Sequence, residues 1–157
     1  MSGAEVSLRP ATSADANAVR DLVFGTLLEF GLKPDAKGTD ADLFDFPGSY
    51  AGGSFDVLVD RGGLVLGCIG LAPHGEGTLE LRKMYLAKDK RGRGFGKMLL
   101  DHALRRAKEL GAKRITLETA AILQDAVAMY ERAGFRPDPS AVYSGRCDRG
   151  YVLELSL

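Results

Sequence analysis

The 157-residue sequence contains little that could staple a fold, bind a metal or carry a net charge. It has two cysteines, two histidines and no tryptophan, and its 21 Lys and Arg offset 21 Asp and Glu. Two cysteines do not make a disulfide framework. Cys68, inside the apolar run Leu64-Val65-Leu66-Gly67-Cys68-Ile69, reads as a small core residue. Cys147 lies in a polar stretch, and no nearby histidine supports it as an acyl-carrying nucleophile. His74 falls in an expected turn and His102 on the polar side of an expected helix. They share no ligand spacing, so no metal is expected. Zero net charge argues against a dedicated nucleic-acid binder. No apolar run approaches the roughly 20 residues that span a bilayer, and no basic-then-apolar signal opens the chain. The expectation is a soluble, cytoplasmic protein with neither nucleic acid nor membrane as partner. What is present, 45% apolar and 27% charged residues, matches a globular chain. It suffices for a single domain over residues 1–157 with its own core.

Periodicity sets out the elements. Glu5 to Arg9 alternates as a strand that Pro10 stops. Thr12 or Ser13 can cap a helix, with Asp15 in its first turn and Val19, Leu22, Val23, Leu27 and Phe30 at helical spacing up to Gly31. Residues 33–53 read as a loop holding a short helix near 39–46. Strands follow at 55–59 and 64–71, joined by the turn Asp60-Arg61-Gly62-Gly63, and a longer strand at 79–86. Phe95 to Leu110 is amphipathic, with Leu99, Leu100, Ala103, Leu104, Ala107 and Leu110 on one face and Gly111 as the stop. A strand at 114–118, a short helix through Ala126, Met129, Tyr130 and Ala133, and closing strands at 142–143 and 151–155 complete the chain. Three consecutive strands imply antiparallel pairing, and the strand-helix-strand unit after them implies a parallel pair. The expected fold class is α/β, a mixed and mostly antiparallel sheet flanked by helices.

The stretch Lys88 to Lys97 joins a strand to a helix. Its glycines let backbone N–H groups approach a ligand, and the helix start adds unpaired donors and a positive dipole end. With Lys88, Lys90, Arg91, Arg93 and Lys97 around it, the loop suits a pyrophosphate. The dinucleotide fingerprint does not fit, since Gly92, Gly94 and Gly96 leave too short a last gap. The nucleoside-triphosphate loop also fails, because Arg91 takes its first glycine and Met98 its Ser/Thr. The spacing that fits is Arg-x-x-Gly-x-Gly, at Arg91, Gly94 and Gly96. A solvated basic turn remains open on the loop alone.

These residues, with Glu80-Leu81-Arg82-Lys83-Met84-Tyr85-Leu86 before them and Leu117-Glu118-Thr119 and Ala126-x-x-Met129-Tyr130-x-x-x-Gly134-Phe135 after them, resemble the core of the GNAT family of N-acetyltransferases. The resemblance implies a strand splayed from its neighbour, holding acyl-CoA. The pyrophosphate would lie on Arg91, Gly92, Arg93, Gly94, Phe95, Gly96 and Lys97, and the pantetheine arm along Met84, Tyr85 and Leu86. It implies acetyl-CoA as co-substrate, a small amine as acceptor, and Tyr130 as proton donor to the departing thiolate. A homodimer is left open. Leu123 stands where many family members carry an asparagine, which puts one cofactor contact in question.

Beside the resemblance, the residues keep their own readings. Tyr130 lies on the apolar face of its helix and reads on spacing as a core aromatic. Period-2 alternation places Glu80, Arg82, Met84 and Leu86 on one face. Glu80 is there a candidate base acting through water, or merely the partner of Arg82; Glu118 is a second candidate. The resemblance, in turn, implies an acceptor side that includes Glu118, Thr119, Arg146 and Asp148, where Arg146 could grip an acceptor carboxylate. The acidic loop of Asp35, Asp40, Asp42 and Asp45 reads as attraction for a cationic acceptor or as solvated surface. A small-molecule acetyltransferase, a protein acetyltransferase and a noncatalytic CoA-binding sensor are the functions these features allow.

Overall fold

In the computed structural model of the chain, residues 5–119, 124–142 and 146–155 are described. Among these residues, seven strands form one sheet in the order β1-β2-β3-β4-β5-β7-β6. They are β1 (Val6–Pro10), β2 (Ser54–Asp60), β3 (Val65–Pro73), β4 (Thr78–Leu86), β5 (Arg114–Thr119), β6 (Arg136–Pro137) and β7 (Arg149–Glu154). The helices are α1 (Ala16–Glu29), α2 (Phe95–Glu109) and α3 (Gln124–Arg132). Every pairing is antiparallel except β4 with β5, so the expected mixed sheet is the observed one.

Local chemistry accounts for most boundaries. Arg9 grips Asp15 at 2.8 and 2.9 Å, and Asp15 also accepts the Thr12 amide, closing a capping box just before α1. The β2–β3 turn is built by Asp60, whose Oδ1 accepts the amides of Gly62 and Leu64, both at 2.9 Å. α2 buries Leu99, Leu100, Ala103 and Ala107 and ends at Gly111, whose φ is +80°. Leu110 turns away from that face and is 41% exposed.

The sheet separates two apolar clusters. Leu99, Leu100, Ile115, Leu117 and Tyr151 belong to the one under α2 and α3. Val19, Val23, Leu43, Val57 and Cys68 belong to the one under α1. Cys68 is fully buried, as its setting implied.

Two expectations are corrected. The segment near 39–46 holds only single 3₁₀ turns, at Ala41–Leu43 and Gly48–Tyr50. The strand expected at 142–143 does not form at Val142, which follows a 3₁₀ turn at Pro139–Ala141; Tyr143 lies outside the described residues. The penultimate strand is instead Arg136–Pro137, too short to carry a periodic signal. His102 lies on the polar side of α2 as expected, partly exposed, with its Nε2 3.1 Å from Oδ2 of buried Asp56 on β2.

Candidate active site

Two irregularities in β4 create the site. On one edge, β4 pairs with β5 only from Thr78–Arg114 to Glu80–Thr116, although both strands continue. The two then diverge, and the backbone of β4 beyond Glu80 has no β5 ladder to spend its donors on. On the other edge the register with β3 shifts between Cys68–Tyr85 and Gly70–Arg82. Two residues, Lys83 and Met84, therefore stand opposite Ile69 alone, a β-bulge. Lys83 takes φ +56° to make it, and its carbonyl accepts the Cys68 thiol at 3.1 Å.

The bulge reverses the strand's phase. Leu79, Leu81, Met84 and Leu86 all belong to the cluster under α2, while Tyr85 packs with the cluster under α1. Glu80 and Arg82 thus do not share a face with Met84 and Leu86, and the simple alternation expected from sequence fails at Lys83. The signal was present: the apolar positions shift from odd (79, 81) to even (84, 86), which an unbroken strand cannot accommodate.

A cleft of about 430 Å³ opens along the divergence. Glu80, Arg82, Met84 and Tyr85 form its floor, Glu118, Thr119, Tyr130 and Cys147 one wall, and Thr39 and Asp42 of the α1–β2 loop the other. Glu80 is 3% exposed and accepts Arg82 Nε at 2.5 Å; His74 Nδ1 lies 4.0 Å from the same oxygen. Tyr130 is 5% exposed and meets Phe135 edge-on at 5.8 Å, so it is a core aromatic whose ring also reaches the cleft. Burial pushes its phenol well above the ordinary range, so it stays a protonated donor. Among the described residues no group hydrogen-bonds its hydroxyl. Thr119 is buried, and its carbonyl accepts the Asp148 amide at 3.2 Å.

The acidic loop is split: Asp35 and Asp45 are exposed, as a solvated surface would have them, whereas Asp40 and Asp42 are buried. Asp40 is fully buried and held by both Nη atoms of Arg146 at 2.7 and 2.9 Å, by Lys83 Nζ at 3.3 Å and by the Asp35 amide at 2.8 Å. Asp42 is 3.2 Å from the same Lys83 ammonium and accepts the Tyr50 hydroxyl. Burial pushes the Asp40 carboxyl up, but the Arg146 fork, the Asp35 amide and the Lys83 charge outweigh it, leaving it below the usual carboxylate range. The Arg146 fork is therefore committed to Asp40 rather than open toward an acceptor carboxylate. Asp148 is exposed and lines a separate shallow groove with Glu131, Arg149 and Tyr151. Sequence reading missed Lys83 and placed Cys147 outside the chemistry, whereas both line the cleft.

The glycine loop lies at the far end of β4. Gly92 and Gly94 have φ of +76° and +86°, and a Cβ at either would point into open space, with no protein atom within 4 Å. Gly96 serves a different need: a Cβ there would lie 3.1 Å from Met129 Cε, so it lets α2 approach α3. Met98 N–H bonds Gly94 O at 3.1 Å, and the amides of Phe95, Gly96 and Lys97 have no intrahelical carbonyl to take. Arg91 is tied back to α1, forking onto Glu29 at 2.7 and 3.0 Å, with its guanidinium carbon 5.5 Å from the Phe30 ring centroid. The glycine cradle and the free amides fit a diphosphate. The position of Leu123 lies outside the described residues.

Comparison with known proteins places this geometry. The profile of the acetyltransferase (GNAT) family matches residues 23–135. The uncharacterized N-acetyltransferase YjgM of Escherichia coli (strain K12) is 36% identical over 134 residues, covering 82% of this chain and 80% of that protein. An acetyltransferase of the GNAT family from Staphylococcus aureus superposes with a TM-score of 0.89 at 24% identity, over 96% of this chain and 99% of that one. Spermidine N-acetyltransferase from Vibrio cholerae, in complex with CoA and spermine, does so with a TM-score of 0.72 at 19% identity, over 97% and 96%. The two structures show the likeness of fold.

Proposed function

Because the chain belongs to the acetyltransferase (GNAT) family, we propose that it moves an acetyl group from acetyl-CoA directly to a primary amine of a small molecule. The observation that carries this reading is the divergence of β4 from β5 beyond Glu80, with Tyr130 and Glu80 both lining the cleft it opens. The cleft's volume lies within the roughly 300–1,000 Å³ of small-molecule sites.

In this reading the amides at the start of α2 and the turn Arg91 to Gly94 receive the pyrophosphate, with Lys97 beside them. Met84, Tyr85 and Leu86 offer backbone groups to the pantetheine arm and to the thioester oxygen. The acceptor arrives as an ammonium, and Glu80 takes its proton, directly or through a water, with Glu118 as the nearby second carboxylate. The amine nitrogen bonds to the carbonyl carbon, the carbon–sulfur bond breaks, the Tyr130 hydroxyl donates to the departing thiolate, and the second proton that the nitrogen sheds as the amide forms returns to the phenolate, directly or through a water. Burial keeps the phenol protonated, and because a thiolate is a weaker base than a phenolate, its help is a hydrogen bond to the departing sulfur with proton transfer coming late. Arg82 holds Glu80 in place through their 2.5 Å hydrogen bond. Thr119 contributes to the wall of the acceptor end, with Arg146 above it.

Tyr130→Phe tests the assignment. The expected result is a fall in kcat of about 10² to 10⁴, with the acetyl-CoA dissociation constant unchanged by calorimetry. Wild-type turnover in the variant would leave Tyr130 a packing residue only. Acetyl-CoA binding with no thiol release to any amine would point to a CoA sensor instead.

A further inference from the structure

Arg146 joins two parts of the chain that are 106 residues apart in sequence. Its Nη1 donates to Lys33 O at 3.2 Å as well as to Asp40, and only 13% of its side chain is exposed. Below it Lys83 reaches the same loop, donating to Thr39 O at 3.1 Å and pairing with Asp40 and Asp42. The loop is thus held to the β4 bulge from beneath and to the C-terminal segment from above. Both held segments line the cleft. Stability alone does not account for such an arrangement, since buried ion pairs gain little over apolar packing after desolvation.

We propose that Arg146, clamped on Asp40 over Lys83, is a strap that closes the acceptor end of the cleft and restricts the acceptor to small amines. The proposal rests on the acetyltransferase reading above and assigns a specificity-determining role within it. An internal lysine of a polypeptide needs a groove open at both ends, since its chain extends on either side of the reacting residue. A side chain bridging residues 33–40 to residue 146 blocks one of those ends. A small amine needs a single entrance and loses nothing.

The test compares acceptor preference in wild type, Arg146→Ala and Arg146→Lys. Acceptors are a panel of amino acids and diamines on one hand and short lysine-containing peptides on the other, with thiol release as the readout. Arg146→Ala leaves Asp40 paired with Lys83, and Arg146→Lys keeps the charge while losing the fork, so one variant folds even where the other does not. The expected result is small-amine preference in wild type and a rise of about tenfold or more in the peptide-to-amine ratio of kcat/KM in Arg146→Ala, with a smaller rise in Arg146→Lys. Hydrogen exchange of the amides of residues 35–43 should quicken in the same order. Unchanged exchange, a parallel fall for both acceptor classes, or peptides already preferred by the wild type would each overturn the strap. Absence of thiol release with every acceptor would instead remove the acetyl-transfer reading, and the exchange measurement would still decide whether Arg146 holds the loop.

Discussion

A lysine at φ +56° inside a strand is uncommon, because the left-handed region crowds its Cβ against the backbone. Lys83 is retained there by what its ammonium reaches, two carboxylates and a carbonyl across the cleft floor. The two cysteines show a similar dependence on surroundings. Burial pushes the Cys68 thiol up to about 12, so almost none is thiolate at neutral pH. Cys147 is half-buried and lines the cleft. An alkylating reagent should therefore modify Cys147 in the native protein and Cys68 only after unfolding, with bound acetyl-CoA slowing the reaction at Cys147. Peptide mass spectrometry before and after denaturant reads this directly, and equal labelling of the two thiols in the native state would contradict it.

At the scale of elements, the glycines around the start of α2 divide the labour. Gly94→Leu places a side chain where no protein atom lies, in a conformation that costs L residues about 1–2 kcal/mol. Gly96→Ala presses instead on the mobile end of Met129. The former should weaken acetyl-CoA binding at least about tenfold, ~1.4 kcal/mol, while the latter acts mainly on stability; calorimetry paired with thermal melting separates them. The helices and long strands were legible because their apolar residues recur at 3.6 or 2 over several turns or pleats. The turn before α2 was legible because Gly92 and Gly94 mark backbone of positive φ that only glycine takes cheaply. Other features lacked a local signature. β6 is two residues long, and the Arg91–Glu29 and Arg146–Asp40 pairs span 62 and 106 residues. Asp40 and Asp42 read as exposed like Asp35 and Asp45 because the cations that pair with them, Lys83 and Arg146, come from elsewhere in the chain. The bulge at Lys83 stood written in the phase break of its strand.

Across the whole molecule, paired carboxylates tie β1 to the start of α1 and the α1–β2 loop to the C-terminal segment. The Arg9 hydrogen bonds hold Asp15 below the usual range, and Asp40 ends below it despite burial. A carboxyl with a lowered folded-state pKa contributes stability above its unfolded value, near 3.9, and loses it as pH falls through the folded value. The urea midpoint should thus hold nearly level from neutral pH down to about 5 and drop steeply below about 4. Asp15→Asn should flatten that drop, and an unchanged acid limb in the variant would remove Asp15 from the account.

The closed end of the β4–β5 divergence has a mechanical consequence. The two strands are fastened to each other from Thr78–Arg114 to Glu80–Thr116 and part beyond, β4 staying paired with β3 and β5 with β7. Leu86 stands six residues past the last fastening, roughly 20 Å at about 3.3 Å per residue. Like the blade of a pair of shears, that length magnifies any change of angle at the pivot: ~3° there moves the tip by ~1 Å. Misplacement of reacting atoms by about 1 Å can cost on the order of 10² in rate. Leu79 and Ile115 are packed in one core cluster at the pivot, so in the acetyl transfer proposed above their packing would bear on how precisely the reacting groups meet.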